Sequence, residues 1–173
     1  MNVIGLDELF MRAALAQARA AAEADEVPVG AVIARDGHLI AKAHNQVETL
    51  KDPTAHAEIL AIGQAAAAVG DWRLTGCTLY VTKEPCVMCA GAVVLARLSR
   101  VVWGVTDPLR GGAISLFPGL SRAELNHRAD WTAGVLEAEC RELIQGFFRR
   151  RRAEPDTADV RPPSTDPRGE CAR

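Results

Sequence analysis

His56, Cys86 and Cys89 are the residues whose types and spacing could do chemistry. His56-Ala-Glu58 is followed, about 27 residues later, by Pro85-Cys-Val-Met-Cys89. One imidazole and two thiols make three good zinc ligands. A structural zinc is closed by four protein ligands, whereas a catalytic one has three and keeps a position open. Glu58 stands beside the first ligand, close enough to handle protons and badly placed to replace a ligand. Cys86 and Cys89, three apart, share a helix face and can grip one ion. Pro85 suits a helix start, where its missing N–H costs nothing. A preceding helix that starts at Thr54 or Ala55 puts His56 in its first turn. The metal would then lie between two helix N-termini, whose partial positive charge favours thiolate over thiol and hydroxide over water. Zinc brings the pKa of bound water from 15.7 to roughly 7, a difference on the order of 12 kcal/mol. Two plainer uses of these residues stay open. A structural zinc would need Cys77 or His44 as a fourth ligand and leaves Glu58 unexplained. A redox Cys-x-x-Cys has no use for His-Ala-Glu.

The elements that must position this set can be read from periodicity. Asp7 to about Ala24 is an alanine-rich amphipathic helix, with Leu9, Phe10, Ala13 and Ala14 at helical spacing. Val29–Ala34 and His38–His44 read as strands joined by Asp36-Gly37, a strong hairpin signal. Residues 45–53 read as loop, 54–69 as a helix closed by Gly70, and 77–82 as a strand. Cys86 to Arg97 is a third helix and 100–105 a further strand. Gly111-Gly112 opens a flexible stretch. A late strand at 131–136 precedes a final helix from Glu137 to about Arg151. Hairpin, helix, strand, helix, strand is an α/β order with a mixed sheet between helices. Pro155, Pro162, Pro163 and Pro167 among scattered charges leave little to bury, so 153–173 reads as a disordered tail behind one domain, 1–152.

Of 173 residues, 49% are hydrophobic and 24% charged, the composition of a globular domain. Asp7, Glu8, Arg12 and Arg19 interrupt the first 24 residues before any apolar run develops, so no secretory signal is expected. No stretch of 18 apolar residues would span a membrane. Five cysteines, two of them in Cys-x-x-Cys, favour a reducing compartment and metal use over disulfides, and cytoplasm is the expected address. A net charge of −2 argues against general nucleic-acid binding, but its distribution is uneven. Residues 73–128 carry seven arginines and lysines against Glu84, Asp107 and Glu124, and Arg149–Arg152 add four. That suits an anionic substrate, although solvated surface arginines account for the same pattern. Trp103 reads as a core residue of its strand, and Cys77 and Cys140 as buried packing.

The order H-x-E…P-C-x-x-C, with a Glu that is not a ligand, is the signature of zinc-dependent nucleobase deaminases. Beyond it, Glu26-Val-Pro-Val-Gly-Ala31, Asp52-Pro-Thr-Ala-His-Ala-Glu58, Leu79-Tyr-Val-Thr82, Glu84-Pro-Cys-Val-Met-Cys-Ala-Gly-Ala92, Asn126-His-Arg128 and Phe147-Phe-Arg149 resemble the bacterial tRNA-specific adenosine deaminase family, over roughly residues 5–152. The resemblance implies a cytidine-deaminase-like three-layer α/β/α fold with a central mixed sheet. It implies a homodimer, one zinc per subunit, and a transfer RNA anticodon arm as partner. The implied reaction is hydrolytic deamination of adenosine to inosine at the wobble position. Zinc-bound hydroxide would be the nucleophile, with Glu58 carrying the proton to the ring nitrogen and the departing amine. Asn45 matches a base-contacting asparagine and Val29 an apolar wall. Ala57, between His56 and Glu58, is placed with the substrate-binding residues. Asp107 lies in a loop that meets the neighbouring nucleotide. Asn126, His127, Arg128, Arg149 and Arg150 are the candidate RNA contacts. The chain departs from the family at Lys83, where an apolar residue is usual, at Gln46-Val-Glu48, and in Pro108-Leu-Arg-Gly-Gly112. The rival readings are a deaminase of a free nucleobase or nucleoside, of guanine or cytosine type, and a zinc-stabilised RNA-binding module without turnover.

Overall fold

The structure is a computed structural model and describes residues 3–153. Of the tail expected over 153–173, Ala153 belongs to the last helix and the rest, with Cys171, lies outside the described residues. Helix α1 spans Val3–Glu23, strand β1 Gly30–Arg35, strand β2 His38–His44, and a one-turn helix α2 Val47–Leu50. Helix α3 covers Ala57–Val69, β3 Cys77–Lys83, α4 Val87–Leu95, β4 Arg100–Val105, β5 Asp130–Ala133 and α5 Glu137–Ala153. The five strands form one sheet in the order β2-β1-β3-β4-β5. β1 is antiparallel to β2 and β3, while β3, β4 and β5 run parallel. Asp36 (φ 51°) and Gly37 (φ 76°) are both left-handed, which is what a two-residue hairpin turn requires.

Strands sandwiched between helix layers are apolar on both faces. Here alternate residues go to opposite layers. Ile33, Leu79, Val81, Val101 and Trp103 pack with Ala57, Ala61, Ala65 and Val93 of α3 and α4. Val32, Tyr80 and Val102 pack with Phe10, Met11, Ala14 and Leu15 of α1 and Cys140 of α5. The three-layer α/β/α expectation is met. Gly30 lies so close to α1 that a Cβ there would overlap Ala14 O and Ala18 N. Among the described residues no helix is long and apolar enough to cross a membrane.

Three expectations about elements are corrected. Helix α1 begins by Val3, four residues before the expected Asp7, whose carboxylate takes two hydrogen bonds from Arg100, at 2.8 and 2.7 Å, and one from the Tyr80 hydroxyl at 3.1 Å. The polar stretch 45–53 contains α2. Gly111-Gly112 does not open a loose segment: Gly111 N–H meets Asp107 O and Gly112 N–H meets Pro85 O, each at 2.8 Å. Side chains there would overlap the Glu84 carboxylate and the backbone of Val87.

Candidate active site

The carboxyl ends of β3 and β4, the start of β1 and the end of β2 meet at one edge of the sheet. That edge is where open α/β sheets bind ligands. Register fixes the meeting: Gly30 pairs with His44, and Ala31 with Val81, which in turn lies beside Trp103. Val29 precedes β1, Asn45 follows β2, Pro85 and Cys86 follow β3, and Asp107 follows β4.

Helix α3 starts one residue after His56, and α4 one residue after Cys86, so each of these residues is an N-cap in extended conformation. The first of these helices therefore starts two or three residues later than the expected Thr54 or Ala55. Glu58 is the second residue of α3 and Cys89 the third of α4. The distances are 3.5 Å from His56 Nδ1 to Cys89 Sγ, 3.7 Å from Nδ1 to Cys86 Sγ, and 3.6 Å between the sulfurs. Zinc bonds of about 2.3 Å to sulfur and about 2.05 Å to nitrogen, at tetrahedral angles, require triangle edges of about 3.6–3.8 Å. The donor triangle therefore fits a tetrahedral zinc. A disulfide is excluded, since it would need a separation of about 2.05 Å. These three residues form a group that could hold a metal. The hydrogen bond from the Cys89 thiol, opposed by burial and helped by the His56 ring, holds Cys86 down at about 3. That same bond, with burial, pushes Cys89 up. A cation held between the two sulfurs would take the place of the thiol proton. His56 is raised by its bond to Cys86.

Glu58 is 4% exposed, and its Oε2 meets no hydrogen-bond partner. Burial pushes its pKa up. A carboxyl whose pKa rises by burial, beside a cluster of metal-ligand type, has the setting of a general acid–base.

A cavity of about 260 Å³ opens above this group, lined by His56, Glu58, Cys86, Asn45, Val29 and Asp107, with Val27, Val47, Lys83 and Arg110. Ala57, fully buried, does not line it. Two carboxylates that sequence reasoning passed over build its walls. Glu26 accepts Asn45 Nδ2 at 3.0 Å and Thr49 N–H at 2.6 Å, which leaves the carbonyl end of the Asn45 amide toward the cavity. Glu84 accepts the N–H groups of Asp107, Ile114 and Ser115 at 2.9, 3.0 and 3.0 Å, and the Ser115 hydroxyl at 2.6 Å. Their only signal was membership of the Glu-Val-Pro and Glu-Pro-Cys blocks; the partners lie 19–31 residues away. Lys83, expected as a cation near the site, pairs with Asp107 at 2.5 Å.

Asn126, His127 and Arg128 are not brought to the cavity. Asn126 accepts from Arg97 at 2.7 and 3.1 Å, and the His127 ring bonds Leu98 O at 2.7 Å. Arg128 borders a cleft with Asp130 and Trp131, at the opposite edge of the sheet. On α5, Arg149 lines a cleft with Phe148 and Arg152, and the Arg150 guanidinium lies 5.9 Å from the Phe147 ring. Phe148 itself reaches a cleft shared with Lys83, Asp107 and Arg110.

Residues 7–152 match the MafB19-like deaminase family. The tRNA-specific adenosine deaminase of Bacillus subtilis (strain 168) is 49% identical over 152 residues, covering 88% of this chain and 94% of that one. A structure from work on A-to-I editing by tRNA:A34 deaminases at the wobble position of transfer RNA superposes with a TM-score of 0.76. It is 45% identical and covers 78% of this chain and 98% of that one. Guanine deaminase from Nitrosomonas europaea is similar at 30% identity and a TM-score of 0.67, over 81% and 83% of the two chains.

Proposed function

Since the chain belongs to the MafB19-like deaminases, with tRNA-specific adenosine deaminases as 49%-identical relatives, we propose that it hydrolytically deaminates adenosine to inosine at the wobble position of a transfer RNA anticodon. The fold is cytidine-deaminase-like. The observation that carries the chemistry is Glu58 Oε2, buried and without a donor, next to a donor triangle of zinc dimensions. His56 Nδ1, Cys86 Sγ and Cys89 Sγ would hold one zinc per subunit. Zinc supplies a Lewis acid that makes a water nucleophilic at neutral pH. Glu58 would take one proton from the attacking water and give it to the purine ring nitrogen, then take the remaining proton from the added hydroxyl and give it to the departing amine, which leaves as ammonia. Val29 and Val27 wall the base, the Asn45 amide carbonyl meets its polar edge, and burial of Glu58 keeps bulk water from competing for its proton.

Transfer RNA is the proposed partner and cytoplasm the proposed compartment. Arg149 and Arg150 are the α5 residues nearest to serving as RNA contacts. Asn126, His127 and Arg128 would have to act away from the cavity. A homodimer is supported by α4, where Val87, Gly91 and Leu95 form an exposed stripe at four-residue spacing, and Leu95 is 75% exposed. Leu116 and Phe117, exposed on the segment packed against α4, extend that face. Leu95→Glu should dissociate the dimer, read as a halved mass in sedimentation; an unchanged mass would remove α4 from the interface.

Purified protein is to be incubated with transfer RNA carrying a wobble adenosine and, separately, with free adenosine, guanine and cytosine. Inosine formed only in the RNA supports the reading. Ammonia released only from a free base would favour the guanine-deaminase type of reaction.

A further inference from the structure

The Lys83–Asp107 pair has no role in the reaction as written. Lys83 ends β3, Asp107 follows β4, and their side chains keep only 30% and 12% of their exposure. Asp107 Oδ1 accepts the N–H groups of Leu109 and Arg110 at 3.0 and 3.2 Å. Against burial, the bond from Lys83 and these N–H groups hold its carboxyl below the usual range, so it is anionic at neutral pH. Glu26 and Glu84 are covered by neutral donors and face inward. Glu48 also borders the cavity, but it and Lys51, 3.6 Å apart, are mostly exposed and screened by water. Among the described residues, Asp107 is thus the carboxylate at the mouth that is both sheltered from solvent and covered by a cation. The pair also lies on the ridge between two clefts, because Lys83, Asp107 and Arg110 border both the cavity and the neighbouring groove that Phe148 also lines. When a base sits in the cavity, the sugar and phosphates that carry it must remain at this mouth.

We propose that Lys83 is a specificity-determining positioning residue: by holding the Asp107 carboxylate it masks the negative charge at the cavity mouth and admits a phosphate-bearing strand. The proposal rests on the RNA reading above. Without the cation, a carboxylate on the ridge meets the flanking phosphates, and like charges repel most at low salt. The effect falls on binding, because Lys83 is held by Asp107 at the mouth and is not one of the donor triangle.

The test is steady-state kinetics on transfer RNA for the zinc-loaded wild type, Lys83→Arg, Lys83→Met and the double variant Lys83→Met/Asp107→Asn, at low and high salt. Lys83→Met should raise KM roughly fivefold, a penalty that shrinks as salt rises, with kcat within about twofold of wild type. Lys83→Arg should keep the wild-type KM. The double variant should recover most of the loss, since an amide in place of the Asp107 carboxylate still accepts the loop N–H groups and carries no charge to mask. An unmoved KM in Lys83→Met overturns the proposal. So does a double variant as impaired as Lys83→Met, since the cation would then be acting on the phosphate itself. A fall confined to kcat also overturns it. Wild-type turnover of the same RNA is the control: without it the RNA reading falls too, and with it only the masking is in question.

Discussion

Glu58 combines two properties that a surface carboxylate never has together: near-complete burial and an oxygen that no donor meets. Such an arrangement is expensive, since an unsatisfied buried polar group costs on the order of 1–3 kcal/mol. Glu58→Gln should keep stoichiometric zinc and RNA binding while the single-turnover rate of inosine formation falls by a factor on the order of 10³. Normal turnover in that variant would contradict the proton-carrying role, and binding without turnover in the wild type would favour the RNA-binding module. Cys86→Ala should instead lose zinc, measured by metal analysis after dialysis, and full retention would refute the ligand set. These residues were legible because their chemistry depends on type and spacing alone. Glu26 and Glu84 were not. Their partners are mostly backbone N–H groups, and a backbone donor leaves no trace in the sequence that can be paired with a distant carboxylate.

At the scale of elements, the strands and the two-helix setting of the metal-ligand set could be read, and the starts of α4 and α5 fell within one residue of expectation, but those of α1 and α3 were misplaced. Start rules look for Ser, Thr, Asp or Asn. Here the residues at the caps of α3 and α4 are His56 and Cys86 themselves, so the nearby Thr54 misled. The wall carrying Asn45 depends on Glu26, whose burial would raise its pKa but is outweighed by the Thr49 N–H and its other donors. Because the folded value is depressed, this stabilisation is present above the ordinary value of 4.5 and is lost as pH falls through the lowered one. Glu26→Gln should therefore cost about 1–3 kcal/mol at neutral pH. Thermal melts of variant and wild type should converge once pH has fallen below that lowered value. A gap independent of pH would show that Glu26 acts uncharged. Gly112→Ala tests the other wall: overlap with Val87 should cost about 1–3 kcal/mol and loosen zinc, measured by competition with a chelator.

For the whole molecule, α1 is held to the sheet by burial of Phe10, Met11 and Leu15 and by the Asp7–Arg100–Tyr80 cluster. Composition announced an apolar domain but could not pair an aspartate with an arginine 93 positions away. Burial and the Asp7 carboxylate push the Tyr80 phenol up to about 12. Arg100→Met strands Asp7 and should cost about 3–5 kcal/mol. The melting temperature should then drop on the order of 10 °C with zinc content unchanged; a smaller shift would mean that water reaches Asp7. The orphaned oxygen of Glu58 bears on how this protein would respond to selection. A library of variants screened only for survival on heating should enrich uncharged residues at position 58, giving sturdier proteins with no turnover. Thermal hardening and catalysis therefore pull this one position in opposite directions, and any campaign to toughen the enzyme has to hold it fixed.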